Sequence, residues 1–252
     1  MDTLKNIIKK TPVANIFIFL KSFFVKASAQ NDEQEIINEI IKTYDLPKTF
    51  IEFGFSGWEF NCANLAKTWT GLLLDGDPYN IKIARVLWGS NITLSNTWLT
   101  LENIHLFEEW LGKKKLGILS VDVDGNDFWF IESLIKLKPA LLIAEYNSQF
   151  GLKPITVPYD PFFDRTLKHE SRAYFGASLS AINNLVSRNE YSLIRINKTG
   201  VNAFFIRNDL IKNANAVINP IDSFRKKTFP DGSAVPEQWE FIKDMEYVDV
   251  SR

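Results

Sequence analysis

The sequence predicts an α/β fold built on a doubly wound, mostly parallel sheet, and three observations predict it. Short runs that are apolar on both faces recur through the first 145 residues, as strands covered on both sides require. Segments with apolar residues at helical spacing separate these runs. Glycines and acidic residues stand where the runs end, at the edge where such sheets bind ligands.

The elements follow in order. Gln30–Tyr44 carries Ile36, Ile37, Ile40 and Ile41 at helical spacing, and Leu46-Pro47 stops it. Phe50–Gly54 reads as a buried strand, Trp58–Lys67 as a helix and Gly71–Asp75 as a second strand. Tyr79–Leu87 is helical and Asn91–Leu94 a weak strand; Glu102–Leu111 is helical and Gly117–Val123 a strand. Asp127–Leu137 and Ala140–Glu145 repeat the pair. Asn147–Phe175 breaks the alternation with Pro154, Pro158 and Pro161 among Phe150, Tyr159, Phe162, Phe163, Tyr174 and Phe175. Irregular stretches of this length are functional or disordered, and the aromatics argue against disorder. Ala177–Arg188 is helical again. Tyr191–Ile196 and Ala203–Arg207 form a hairpin across the turn-rich Asn197-Lys198-Thr199-Gly200. The last forty or so residues, with Pro220, Pro230, Pro236 and Trp239, read as a tail wrapped on the domain.

Composition narrows the class. The chain has 252 residues, 46% hydrophobic and 23% charged, which is ordinary globular usage and enough length to bury a core without staples. Twenty-nine basic against thirty acidic residues exclude disorder driven by charge and give no support to bulk electrostatic binding of nucleic acid. Cys62 is the single cysteine, so there is no internal disulfide and no multi-cysteine zinc site; two histidines argue against a histidine-rich metal site. Residues 1–29 form a separate basic segment, with Lys5, Lys9, Lys10, Lys21 and Lys26 around the apolar run Val13–Leu20. It is too short to span a bilayer. It reads as an amphipathic helix that packs on the domain or a partner, or lies on an anionic membrane surface. A cleaved secretory signal fits less well, because Lys21 stops the run and Lys26 precedes Ala27-Ser28-Ala29. The expected location is the cytoplasm, with contact at the inner membrane surface as one role of residues 1–28.

Four constellations carry chemistry. Glu52-Phe53-Gly54-Phe55-Ser56-Gly57 lies at a strand-to-helix junction, where glycines let the backbone turn and approach a ligand; they also serve tight turns generally. The stretch lacks the third glycine of a dinucleotide fingerprint and the lysine of a phosphate loop. Asp75-Gly76-Asp77-Pro78 ends the next strand, where an acid accepts hydrogen bonds from ribose hydroxyls or merely makes a turn. The pair fits a cofactor that bears ribose without pyrophosphate, and S-adenosylmethionine is the better match. Asp122, Asp124 and Asp127 crowd one strand end, as a metal site, a cofactor-facing group or a general base would, with Asp124 or Asn126 also placed to cap the following helix. Glu145-Tyr146-Asn147 follows another apolar strand, at the edge where substrates lie, and Tyr159 and His169 stand in the aromatic loop. His169 is a candidate base; His105, on a helix, is a weaker one.

Phe50–Gly57, Gly71–Asp77, Leu119–Asp127, Ala140–Asn147 and Asn202–Arg207, with Ala29-Gln30-Asn31-Asp32-Glu33 ahead of them, together resemble the FkbM-like branch of S-adenosylmethionine-dependent methyltransferases. The resemblance covers roughly residues 29–210. It implies a Rossmann-like, seven-stranded sheet of the class I methyltransferase type with an antiparallel last strand. The chain thus reads as a basic segment over 1–29, a methyltransferase domain over 30–210 and a tail over 211–252, with the aromatic loop 148–175 expected to cover the substrate. By position the resemblance makes Glu52, Gly54, Gly57, Asp75 and Asp122 cofactor-binding residues. Asp124 stands where the family has glutamate, and the two residues between Gly54 and Gly57 replace the usual three. The candidate catalytic residues are Asp124, Asp127 and His169, the substrate residues Glu145, Tyr146, Asn147 and Tyr159, and the metal ligands Asp122, Asp124 and Asp127 for Mg²⁺. The function expected is O-methylation of a glycan or small polar metabolite. The alternative is a non-catalytic module whose cleft is vestigial and which binds a partner or membrane. A nicotinamide-dependent oxidoreductase fits less well, for want of the glycine fingerprint.

Overall fold

A computed structural model of the chain describes residues 20–21, 28–88 and 90–251. Seven strands form one sheet: β1 (Thr49–Phe53), β2 (Thr70–Asp75), β3 (Ile92–Asn96), β4 (Ile118–Val121), β5 (Leu141–Glu145), β6 (Tyr191–Ile196) and β7 (Asn202–Arg207). They lie in the order β3-β2-β1-β4-β5-β7-β6. Strands β1 to β5 are parallel, and β7 runs antiparallel to both of its neighbours. This is the class I methyltransferase arrangement. The order reverses between β1 and β4, so the connections leaving these two strands diverge and open a crevice at their carboxyl ends.

The period of two explains why the strands read as unbroken apolar runs. Ile51, Phe53, Leu72, Leu74, Leu119 and Val121 face one core, while Phe50, Leu73, Ile118 and Ile143 face the other. Helices cover both faces. Helices α1 (Glu33–Thr43) and α2 (Pro78–Leu87) pack on the second core through Ile36, Ile37, Ile40, Ile81 and Ala84. Helices α3 (His105–Leu111), α4 (Asp127–Leu134) and α5 (Leu179–Ser187) pack on the first through Phe107, Phe130, Ile131, Ile182 and Val186. Two starts are fixed by capping: Asp77 accepts from Tyr79 N at 2.8 Å ahead of Pro78, and Ser178 Oγ accepts from Ala181 N at 3.0 Å.

Two local expectations are corrected. Trp58–Lys67 forms successive turns instead of a helix, because the amides of Asn61 and Cys62 turn inward to the Glu52 carboxylate. Neither Asp124 nor Asn126 caps α4. Asn126 instead exchanges hydrogen bonds with the backbone of Asp160, at 2.8 and 3.2 Å.

The irregular segment and the tail form one unit. Ile155–Thr156 pairs antiparallel with Val248–Asp249, and Phe150, Val157, Tyr174 and Phe175 pack with Ile242, Trp239 and Tyr247 into a satellite core. At the other end, Glu33 is fully buried and receives Asn31, Asn197 and Asn202, tying the start of α1 to the β6–β7 turn. The basic segment 1–29 lies outside the described residues, except Leu20, Lys21, Ser28 and Ala29; the Lys21 ammonium stands 4.7 Å from the centre of the Trp58 ring. No helix among the described residues is long and apolar enough to cross a membrane.

Candidate functional site

Two cavities meet at the carboxyl ends of the central strands. The first, of about 370 Å³, runs from Gly54 past Asp75 and Asp77 to Trp98 and Leu99. Its lining is more apolar than polar, with Phe55, Trp98, Leu99 and Phe163 beside the acids. The second, of about 320 Å³, is polar and holds Glu52, Asn61, Glu145, Asn202, Arg165 and Lys227. Gly54, Phe55, Ser56, Asp122 and Asp124 line both.

Asp75 stands at the end of β2 with one carboxylate oxygen committed. Oδ1 accepts from Asp77 N at 2.6 Å and from Asn80 Nδ2 at 3.3 Å, while Oδ2 has no hydrogen-bond partner among the described residues. Burial holds its pKa above the ordinary carboxylate value, against those bonds. Asn80 also donates to Phe55 O at 3.0 Å and accepts from Gly57 N at 3.1 Å, so one side chain clamps the glycine turn to the acid. Nothing in the sequence pattern marked Asn80.

The glycines have structural reasons of their own. Gly54 has φ +75°, and a Cβ there would lie 1.6 Å from the carbonyl oxygen of Asp122. A Cβ on Gly57 would press on Ile83 at 2.6 Å, and Gly57 lines neither cavity. Close approach of β1 to β4 and of the turn to α2 is what demands these residues.

The acids do not form the set expected. Asp122, Asp124 and Glu145 come together, each offering an oxygen within 4.8 Å of the others. Their adjacency follows from register: Val121 of β4 pairs with Ala144 of β5, so the next residues meet at the strand ends. Asp127 stands apart, because its two oxygens accept from Val123 N at 2.9 Å and Gly125 N at 3.0 Å. Asp124 adopts φ +56° and pairs with Arg165, whose guanidinium lies 3.8 Å from the centre of the Phe175 ring. Lys227 Nζ approaches Glu145 Oε1 at 3.7 Å.

Glu52 faces the polar pocket and accepts from Asn61 N at 2.6 Å and Cys62 N at 2.9 Å. His169 lines neither cavity; its Nδ1 contacts Ser171 Oγ at 2.8 Å. Tyr146, Asn147 and Tyr159 also lie outside both. Tyr146 donates to Arg225 O, Asn147 donates to Ala173 O and Phe175 O, and the Tyr159 hydroxyl accepts from Leu101 N. Sequence reasoning missed Trp98, Phe130 and Phe163 in the first cavity and Asn61, Arg165, Asn202 and Lys227 in the second.

Burial pushes Glu52 up to about 7, against the two amides that bond it. Glu145 rises to about 7 through burial and the nearby Asp124 charge, with Lys227 opposing, and Asp127 rises to about 6 through burial. Asp122 is raised by burial and by the Glu145 charge. All four bind protons more tightly folded than unfolded. Their contribution is full below the unfolded values, near 4, and is lost as pH rises through the folded ones. In metal-free buffer the thermal midpoint is therefore expected to fall between pH 5 and pH 8. A midpoint that climbs over that interval contradicts this electrostatic description.

No family model matches the chain, and no curated protein matches it. Solved structures do. The N-terminal domain of EvdMO1 with SAH bound is 11% identical over 71% of this chain and 80% of that one, with a TM-score of 0.43. A putative caffeoyl-CoA O-methyltransferase from Staphylococcus aureus is 12% identical over 82% and 98%, with a TM-score of 0.47. A putative O-methyltransferase from Klebsiella pneumoniae is 14% identical over 81% and 94%, with a TM-score of 0.44. The fold assignment rests on the strand order itself.

Proposed function

We propose that the protein transfers a methyl group from S-adenosylmethionine to a hydroxyl of a glycan or small polar acceptor, in the manner of the FkbM-like methyltransferases it resembles. One observation carries this reading. An open, mostly apolar cleft and a polar pocket adjoin at the switch point, sharing Gly54, Phe55, Ser56, Asp122 and Asp124. A donor in the first and an acceptor in the second face each other across that shared lining, which is the arrangement group transfer needs.

The cleft suits the donor residue by residue. Asp75 Oδ2 is free to accept from ribose hydroxyls. Trp98, Leu99 and Phe163 line the cleft and offer apolar surface to an adenine ring. Held there, the donor would supply an electrophilic methyl carbon on sulfur, with SAH as the leaving group. On the acceptor side, Asp122 and Glu145 offer oxygens to take the hydroxyl proton. Asp124 stands at the junction, whereas Asp127 and His169 are not placed to act on an acceptor. Phe163 and Arg165 come from the aromatic loop, so 148–175 forms part of the cover over both ligands. A vestigial cleft would be filled by the protein's own side chains; this one is open.

Calorimetric titration with SAH and NADH tests the reading. SAH is expected to bind one-to-one and NADH not to bind; binding of neither overturns the proposal. Asp75→Asn keeps an oxygen for Asp77 N but removes the second acceptor. It is expected to weaken SAH by about 10- to 100-fold, since hydrogen bonds to a charged acceptor contribute about 1.5–3 kcal/mol. Unchanged affinity would remove Asp75 from the site.

A further inference from the structure

We propose that Asn80 is a positioning residue for the donor: it aims the free oxygen of Asp75 at the ribose and so sets the selectivity for a nucleoside that carries both ribose hydroxyls. The proposal rests on the methyl-transfer reading of the first cavity. It goes beyond that reading by assigning ribose selectivity to a residue that acts through another.

Asn80 lies in the first turn of α2 and lines the same cavity as Asp75. Nδ2 donates to Phe55 O at 3.0 Å and to Asp75 Oδ1 at 3.3 Å, while Oδ1 accepts from Gly57 N at 3.1 Å. A flipped amide would set its oxygen against a carbonyl and a carboxylate, so one orientation alone satisfies all three partners. Three separate pieces of chain therefore meet on one side chain: the turn after β1, the end of β2 and the start of α2.

The consequence falls on Asp75. The terminal torsion of an aspartate is broad, so the oxygen that faces a cavity is decided by what holds the other one. Asp77 N, at 2.6 Å, and Asn80 Nδ2 both hold Oδ1. Two donors from different elements fix the carboxylate plane where one would leave it free to swing, and Oδ2 is left for the sugar. Burial raises the Asp75 pKa and the Asn80 bond opposes that rise, so the same contact favours the charged acceptor. The scaffold around the acid is held independently. Asn96 Nδ2 donates to Asp75 O and Gly76 O at 3.0 and 3.1 Å, and Asp77 caps α2 through Tyr79 N. Loss of the Asn80 side chain thus frees the carboxylate and the glycine turn, while the end of β2 and the helix start stay fixed.

Calorimetric titration with SAH and with its 2′,3′-dideoxy analogue, in wild type and two variants, tests the assignment. Wild type is expected to bind SAH about 10- to 100-fold more tightly than the analogue, the value of hydrogen bonds to a charged acceptor. Asn80→Ala removes all three bonds. Asn80→Asp keeps an acceptor for the buried Gly57 N but sets a second carboxylate against Asp75 Oδ1, so it reads the aim of Asp75 even if the alanine variant does not fold. In both variants the ratio should fall to within about three-fold, through loss of SAH affinity. A merely structural role would weaken the two ligands alike and leave the ratio as in wild type. That result overturns the proposal, as do variants that bind SAH like wild type, or a wild type that binds the two ligands alike. If wild type prefers SAH and the variants keep that preference, Asn80 alone loses its role and the methyl-transfer reading stands. A wild type that binds no SAH overturns both.

Discussion

Replacing Gly54 with alanine is expected to lower the thermal midpoint by about 5–15 °C, from a loss of about 2–5 kcal/mol. Two costs add. Residue 54 sits at φ +75°, a conformation that costs a residue with a side chain about 1–2 kcal/mol. The new Cβ would also fall 1.6 Å from the Asp122 carbonyl oxygen, a backbone atom that no rotamer change can move. The ends of β1 and β4 would have to part, and overpacking of that kind costs about 1–3 kcal/mol more. The same movement would widen the wall common to both cavities, so SAH binding should weaken with stability. A variant that melts within about 2 °C of wild type would show that β1 and β4 do not approach so closely.

Glu33→Ala is expected to cost about 3 kcal/mol, measured by urea unfolding. The carboxylate accepts from Asn31 N at 2.8 Å, Asn31 Nδ2 at 3.1 Å, Asn197 Nδ2 at 2.7 Å and Asn202 Nδ2 at 3.1 Å. Asn197 keeps a second acceptor in Thr199 Oγ1, but Asn202 Nδ2 would be left buried and unpaired. Glu33→Gln retains the oxygen that takes three of these bonds and loses only the one from Asn31 N, so it should cost about 1 kcal/mol. Equal losses in the two variants would contradict this hydrogen-bond account. The Gln30–Glu33 stretch, singled out through a family resemblance, thus has a physical role of its own, fastening the chain ahead of the first strand to the hairpin at the opposite edge.

The fold was legible because sheet and helices announce themselves locally. Phe50–Phe53 and Leu141–Glu145 are apolar wherever they face a core, and Ile36, Ile37 and Ile40 keep helical spacing. Trp58–Lys67 misled because its apolar residues do pack in the core, while its backbone serves a buried carboxylate nine and ten residues earlier. Asp75 was legible from its place after the second strand, and Asp122 and Asp124 from theirs after the fourth. Glu145 in place of Asp127 was not, because joining 122 to 145 requires the β4–β5 register and not proximity in the chain. Arg165 and Lys227 come from irregular segments without period, and the contacts of Phe150 and Tyr174 with Tyr247 span some seventy to a hundred residues. No local pattern encodes such pairings.

Hydrogen exchange with and without SAH tests the central claim most directly, because it reports where the nucleoside lies. The amides of residues 54–57, 75–80, 97–99 and 123–126 should exchange more slowly in the complex, with no change at the amino ends of β1, β2 and β4. SAH bound one-to-one, with protection confined to other surfaces and none at these strand ends, would contradict the account.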